Sequence, residues 1–545
     1  MTDPDRDEGT MTDPDRDEGK VTDPGRDEGK VTDPGRDEGK VTDPGRDEGV
    51  SVLARQGSIT FVGNVVNGVL GFAIVMLMTR FVSPSVYGLF VLATSVILFA
   101  QVFANLGLPL AIDYFVPQYL ADDEYGKAKG VIVQVTMTVL ATSTAVAIAL
   151  AVAASTIGRF FGEPSLAIAL VILSFTVPML AIYNVLLTSY YSIKKLQYRV
   201  VMRDLVRPIV RFLATAAFLL AGLGLLALIG GYVVGLLVAI TVGAVLFTYR
   251  AWRIVAAETD LVAAGPLVRY SVPLAMTSVV YVLMGHVDYF VLGFFLDADD
   301  VGIYRVGYML GSALLIIFNS LAPVFKPLIA ERKEDTVLVE RRFRIAARWI
   351  AGFTLPIAIV LSLGASSFLA TLYTPQYAAA NAVVATLCVA FLFNVTFGGP
   401  DGTLLQGMGY PRLVFLNTSV LFGANFLVSI ALVPTFGIEG AAIGSATALV
   451  LVGAMTLVEL YHYDRIHPFT REFGKVFLAG VPALLGGLPI VLLPVPDVLV
   501  VASLPIVVVG VYVAGLVALD AFTQEDARMA AEFGPGIERW LPLGR

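Results

Sequence analysis

From residue 58 to residue 520 the chain is a succession of long apolar runs separated by short polar connections. Stretches such as 166–191 and 227–248 carry no charge and reach roughly the 20 residues that a helix needs to cross a hydrocarbon core. Barrel strands would instead alternate apolar and polar positions over about ten residues. The pattern predicts an all-α integral membrane protein with about fourteen transmembrane helices, near 58–79, 86–110, 130–154, 166–190, 205–223, 226–248, 271–295, 302–325, 347–371, 379–399, 413–433, 438–460, 474–494 and 497–520. Almost nothing separates 205–223 from 226–248, so thirteen spans result if that hairpin is misread.

Composition excludes a soluble domain. Hydrophobic residues make up 57% and charged residues 15% of the chain, against about a quarter charged in soluble proteins, and mean hydropathy is +0.79. The charge is unevenly placed: residues 1–50 hold 17 acids and 8 bases, the remainder 27 acids and 29 bases. Those first residues are five tandem decapeptides of the type VTDPGRDEGK, too poor in apolar groups to fold, so a disordered acidic tail is expected. It reads either as a surface tether or as an expansion without a role, and it lacks the basic start and apolar core of a signal peptide. Only 10 of the 37 basic residues are Lys, which together with the acidic tail points toward a high-salt cytoplasm. The single cysteine, Cys388, leaves no intramolecular disulfide.

Loop charge sets an expected orientation. With the N-terminus inside, the inner loops 113–129, 191–204, 249–270, 326–346, 400–412 and 461–475 carry most of the Lys and Arg of the membrane body, and the outer margins only Arg80, Arg159 and Arg305. By the positive-inside rule both termini are expected in the cytoplasm, with the protein in the cell membrane. Reporter fusions after residues 125, 335 and 468 should therefore report cytoplasm, and fusions near 160, 298 and 376 the exterior; one reversed pair would show that the helix count is wrong. The short outer connections leave no room for an external catalytic domain.

An internal repeat crosses this layout. FVSPSVYGLFVLA (81–93) matches FLDADDVGIYRVG (295–307) at an offset of 214, which aligns Gly88 with Gly302. GLLALIGG (224–231) matches GIEGAAIG (437–444) at 213, and the same offset aligns Arg199 with Arg412. Two parallel six-helix repeats are expected, at 51–260 and 261–465, followed by two extra helices at 466–521 and a cytoplasmic tail at 522–545. Parallel repeats are a transporter arrangement with the substrate at their interface.

The segments RFVSPSVYGLFVLATSVILFAQVFANLGLPLAIDYF (80–115), HVDYFVLGFFLDADDVGIYRVGYML (286–310), GTLLQGMGYPR (402–412) and VPTFGIEGAAIGSATALV (433–450) are, in this order, similar to polysaccharide-biosynthesis membrane proteins. These are the oligosaccharide flippases of the multidrug/oligosaccharidyl-lipid/polysaccharide superfamily, the group that includes O-antigen flippases. The resemblance covers roughly 51–520. It implies two six-helix bundles forming a V around a central cavity, plus two terminal helices, and movement of a polyprenyl-linked glycan from the inner to the outer leaflet by alternating access; the acidic, Lys-poor exposed sequence makes a dolichyl carrier the natural form of that lipid. It also implies a functional link to glycan-assembling glycosyltransferases and contact with membrane lipids. A cation-coupled multidrug exporter of the same superfamily, or a membrane glycosyltransferase or polymerase, are the competing readings. Residues 58–79, however, contain no acid, where such exporters generally carry one in an early span.

Candidate chemistry lies in the few charges inside spans. Arg199, Arg203, Arg207 and Arg211 recur every four residues and would form one slowly drifting helical stripe. Guanidinium forks suit the phosphate of a lipid-linked glycan; for Arg199 and Arg203 a simple positive-inside role is the competing explanation. Asp288, two residues after His286, is an intramembrane acid and so a functional candidate: it could bind a coupling proton or monovalent cation, or pair with Arg305 or Arg80. His286 lies on another face and is expected to be an ordinary hydrogen-bonded histidine. Asn64 and Asn67 share a face of the first span, and Arg80 closes it; each could line the cavity or serve helix contact and anchoring. The run 331–349 reads as an amphipathic interfacial helix. No metal-ligand spacing and no phosphate-binding loop of the GxxxxGK[ST] type occurs, so neither a metal centre nor ATP hydrolysis is expected. A nucleic-acid partner is not expected either.

Overall fold

Helix fills most of each expected segment where its residues are described. The computed structural model describes residues 63, 65–319, 335–397 and 403–523; the decapeptide tail, Asn64, Lys326, Asp401 and the end of the chain lie outside them. Among the described residues every regular element is helical. They are α1 Val65–Phe81, α2 Pro84–Asn105, α3 Pro109–Ala121, α4 Tyr125–Phe160, α5 Pro164–Ser174 and α6 Thr176–Ser192. Next, α7 Leu196–Val200 runs through a π-helical turn, Val201–Val206, into α8 Arg207–Leu220, followed by α9 Leu225–Arg250 and α10 Trp252–Ala256. After these come α11 Ala264–Phe295, α12 Ala298–Asn319, α13 Thr336–Leu363, α14 Ala365–Leu372, α15 Asn381–Phe397, α16 Thr403–Met408, α17 Pro411–Asp464, α18 Arg471–Leu492 and α19 Asp497–Ala518.

Ten of the described helices are long and apolar enough to cross a membrane, and eleven if α5 and α6, bent by 45° at their junction, count as one span. α17 covers two expected spans, because its 54 residues run through a kink at Gly437, where φ is 58°. Large apolar side chains such as Val152, Ile168, Leu492 and Ile506 stay exposed along these helices, a surface suited to hydrocarbon and not to water. The chain is a multi-pass membrane protein.

Local chemistry explains where the pattern is broken. The second expected span, 86–110, stops at Asn105 because Leu106 and Gly107 both take positive φ, and Pro109 then opens a separate helix. The interfacial helix expected over 331–349 is not a separate element. From Thr336 its residues are the first turns of α13, started by the Asp335 carboxylate accepting from Leu338 N at 3.0 Å. With neither Gly nor Pro between Thr336 and Ala351, the amphipathic turns run straight on into the apolar ones.

Two close approaches hold the helices that matter for the site. α2 crosses α12 with Gly88 against Gly302, the pair that the repeat aligns: a Cβ on Gly88 would lie 1.8 Å from the Ala298 carbonyl oxygen, and one on Gly302 2.3 Å from the Pro84 carbonyl oxygen. The Glu163 carboxylate accepts from Ala298 N nearby, at 3.1 Å. On the other side, Gly231 and Gly235 of α9 let α8 approach to backbone distance, with Gly235 facing Arg211 Cβ, a small-xxx-small contact. That packing sets the depth of the α8 arginines.

Candidate functional site

The arginine series is divided by the π-helical turn. A π turn takes more residues than an α turn, so four-residue spacing no longer stacks side chains through Val201–Val206. Arg199, before the turn, lines a cavity of about 660 Å³ near the basic-loop end of the helices. Arg207 and Arg211, after it, line a second cavity of about 380 Å³, deeper and adjoining the first at Leu98. Arg203, on the turn itself, lines neither. Its Nε donates to the buried Asp204 carboxylate at 2.8 Å.

Arg305, reached from α12, completes the deeper cavity. The expected partnership of Arg305 with Asp288 is absent; its Nη1 donates instead to Tyr289 Oη at 2.7 Å, with the guanidinium over the Tyr289 ring. Aromatic faces carry the other two cations. Arg207 sits 5.0 Å from the Tyr183 centroid and 5.4 Å from that of Tyr232, while Arg211 sits 5.2 Å from Tyr232 and 5.7 Å from Phe90. Ring quadrupoles steady such cations without neutralising them. Arg211 Nε is buried and has no hydrogen-bond partner, and no carboxylate is among the described residues lining this cavity. Three guanidiniums thus converge on one cavity whose described lining offers them no carboxylate, an arrangement that a polyanion would satisfy.

His286 also lines the deeper cavity, with Nδ1 2.9 Å from Ser95 Oγ. Asp288 points away from it. Its Oδ2 accepts from Tyr304 Oη at 2.6 Å and Ser445 Oγ at 2.7 Å, its Oδ1 from Asn425 Nδ2 at 2.9 Å, and Ser429 Oγ extends the network by donating to Asn425 Oδ1. The carboxylate is buried and joins α11, α12 and both parts of α17. Among the described residues Arg80 pairs with no acid: it is exposed, and its Nε and Nη2 donate to the carbonyls of Leu372 and Thr371 at the end of α14. Helix C-termini leave such carbonyls open. Asn67 is exposed and lines neither cavity, and Asn64 lies outside the described residues.

Residues that the sequence alone did not single out line the larger cavity: Gln101, Asn105, Asp113, Asn184, Thr188 and Tyr191 among them. Asp113 had the appearance of a loop acid beyond the second span. The break at Leu106–Gly107 separates α3 from α2 and leaves Pro109, Leu110 and Asp113 on the cavity wall, and only the positive φ values there signal it.

Comparison with known proteins adds the family. The model of the family described as polysaccharide biosynthesis protein matches residues 77–382, more than half of the chain. The chain is 22% identical over 195 residues to the probable flippase AglR of Haloferax volcanii, covering 35% of this chain and 41% of the relative. It is 22% identical over 152 residues to the teichuronic acid biosynthesis protein TuaB of Bacillus subtilis, covering 27% and 31%. The matches therefore span less than half the length of these curated relatives. Among solved structures, it resembles the lipid II flippase MurJ in an inward closed conformation, with a TM-score of 0.66 at 15% identity over 84% of this chain and 98% of that one. It also resembles an inward-facing multidrug resistance MATE transporter of the MOP superfamily, with a TM-score of 0.59 at 15% identity over 73% and 94%. At these identities the likeness is one of fold.

Proposed function

The chain belongs to the polysaccharide biosynthesis protein family, and from that premise we propose that it flips a lipid-linked oligosaccharide, carried on a polyprenyl or dolichyl phosphate or diphosphate, from the cytoplasmic to the outer leaflet of the cell membrane. The observation that carries this reading is the convergence of Arg207, Arg211 and Arg305 on one cavity that no described carboxylate lines. A phosphate there accepts forked hydrogen bonds from groups already held by aromatic faces. The same charge repels a cationic drug, which sets the reading apart from that of a multidrug exporter.

The two ends of the site support alternating access. With both termini in the cytoplasm, the larger cavity faces the side where glycans are assembled, and the Gly88–Gly302 crossing closes the opposite side. The bundles at 51–260 and 261–465 would rock so that this crossing opens as the larger cavity closes. Surface polysaccharide or glycoprotein assembly would consume the flipped lipid, and glycosyltransferases would supply it. The test is leaflet accounting of lipid-linked glycan in a deletion strain. The glycan lipid should build up in the cytoplasmic leaflet; an unchanged distribution alongside lost efflux of organic cations would replace this reading with the exporter.

Asp288 fits a coupling role. The hydroxyls of Tyr304 and Ser445 and the amide nitrogen of Asn425 all donate to it, so a proton or monovalent cation that arrives at this buried carboxylate has to displace or reorient those donors, which ties ion binding to the packing of α11, α12 and α17. Asp288→Asn should change how flipping in proteoliposomes responds to an imposed proton or sodium gradient, more than it changes lipid affinity. Wild-type ion dependence in that variant would leave the network with a structural role only.

A further inference from the structure

The two adjoining cavities differ in charge, and the difference specifies what the larger one holds. The deeper cavity presents three guanidiniums. Among the described residues the larger one presents one carboxylate, Asp113, and one guanidinium, Arg199, together with amides from Gln101, Asn105 and Asn184 and hydroxyls from Thr188 and Ser278. Asp113 and Arg199 are not joined to each other. Asp113 Oδ1 and Arg199 Nε have no hydrogen-bond partner, and Arg199 lies over the Tyr191 ring at 5.4 Å from its centroid. A phosphate entering here meets the Asp113 carboxylate, and a cation meets Arg199. A neutral polyhydroxyl group suits both, because each hydroxyl donates to a carboxylate and accepts from a guanidinium or amide. Planar carboxylate, amide and guanidinium groups beside an aromatic ring also match the paired hydroxyls and apolar faces of a sugar. The volume of about 660 Å³ lies within the ligand-pocket range of roughly 300–1,000 Å³.

We propose that the cavity lined by Asp113, Asn184 and Arg199 is a carbohydrate subsite, which takes the neutral hexose unit next to the phosphate while the phosphate occupies the arginine cavity beyond Leu98. The assignment rests on the phosphate reading of that deeper cavity and adds the recognition of the sugar to it. Asp113 and Asn184 then set a preference for glycosylated over bare lipid, and Arg211 sets affinity for the phosphate common to both.

The test uses the full-length protein in nanodiscs and native mass spectrometry. Three probes compete for it: dolichyl phosphate, dolichyl phosphate glucose and dolichyl phosphate mannose. Wild type should prefer at least one of the sugar-bearing lipids over the bare one by roughly tenfold or more, the worth of one or two hydrogen bonds to charged or polar partners. Asp113→Asn and Asn184→Ala should each move that ratio toward one, whereas Arg211→Ala should weaken binding of all three lipids and keep the ratio. Thermal unfolding identifies any variant that is misfolded, and the two independent substitutions keep the test decisive if one is. A ratio near one in wild type, or an unchanged ratio in both subsite variants, overturns the proposal and leaves a cavity filled by water only. Arg211-dependent binding without a sugar preference defeats the subsite alone; no binding of any probe defeats the phosphate reading with it.

Discussion

Arg211→Ala should remove nearly all lipid-linked glycan flipping while leaving the protein in the membrane, and Arg211→Lys should retain part of it. Alanine keeps the Cβ that rests against Gly235, so the α8–α9 contact survives the change. What is lost is a guanidinium held over Tyr232 and Phe90 with a buried Nε that no protein group engages. A charge-assisted hydrogen bond is worth about 1.5–3 kcal/mol, or roughly a tenfold to hundredfold change in affinity. Lysine restores the positive charge but not the planar fork, hence an intermediate result. Removing one of three neighbouring cations also relieves their mutual repulsion, so a stability loss is not the expected cause of inactivity. The measurement is flipping in proteoliposomes, normalised to inserted protein. Normal flipping by Arg211→Ala would mean that the converging arginines are structural, and the substrate reading would then stand on family membership alone.

The apolar pattern made the helices legible, because a segment long enough to cross hydrocarbon has almost no alternative to helix. Breaks governed by one or two backbone angles were not legible. Leu106 is an ordinary helix former, yet its positive φ ends α2 and brings Asp113 into a cavity. The arginine spacing correctly drew attention to α8, but period alone could not show the π turn that moves Arg203 onto Asp204 and separates Arg199 from Arg207 and Arg211. Asp288 and Arg305 illustrate a second limit. Sequence identified both as intramembrane charges, but opposite charges in one membrane need not pair: Tyr304, Ser445 and Asn425 satisfy the acid, and Tyr289 the base. The repeat was legible as aligned glycines. That those two glycines touch each other follows only from the way α2 and α12 cross.

This crossing yields the other large expected effect. Gly88→Ala should shift the protein away from the arrangement described here and strongly slow transport, although the residue touches neither cavity. Its new Cβ would lie 1.8 Å from the Ala298 carbonyl oxygen and 2.8 Å from Gly302 N, both backbone atoms that cannot swing aside. Either α2 and α12 separate at this end or the backbone strains, and overpacking of this kind costs about 1–3 kcal/mol. Charged to one of two interconverting states, that cost moves their ratio by roughly fivefold to more than a hundredfold. Gly302→Ala should act in the same direction, because its Cβ would meet the Pro84 carbonyl oxygen at 2.3 Å. Spin labels at Val82 and Asp299, in a chain whose one cysteine, Cys388, is first replaced by serine, would report the distance across the crossing. The variants should lengthen it or broaden its distribution and lower flipping together. Unchanged distances with lost flipping would place the defect elsewhere. Normal flipping with a separated crossing would show that this contact need not close in the transport cycle.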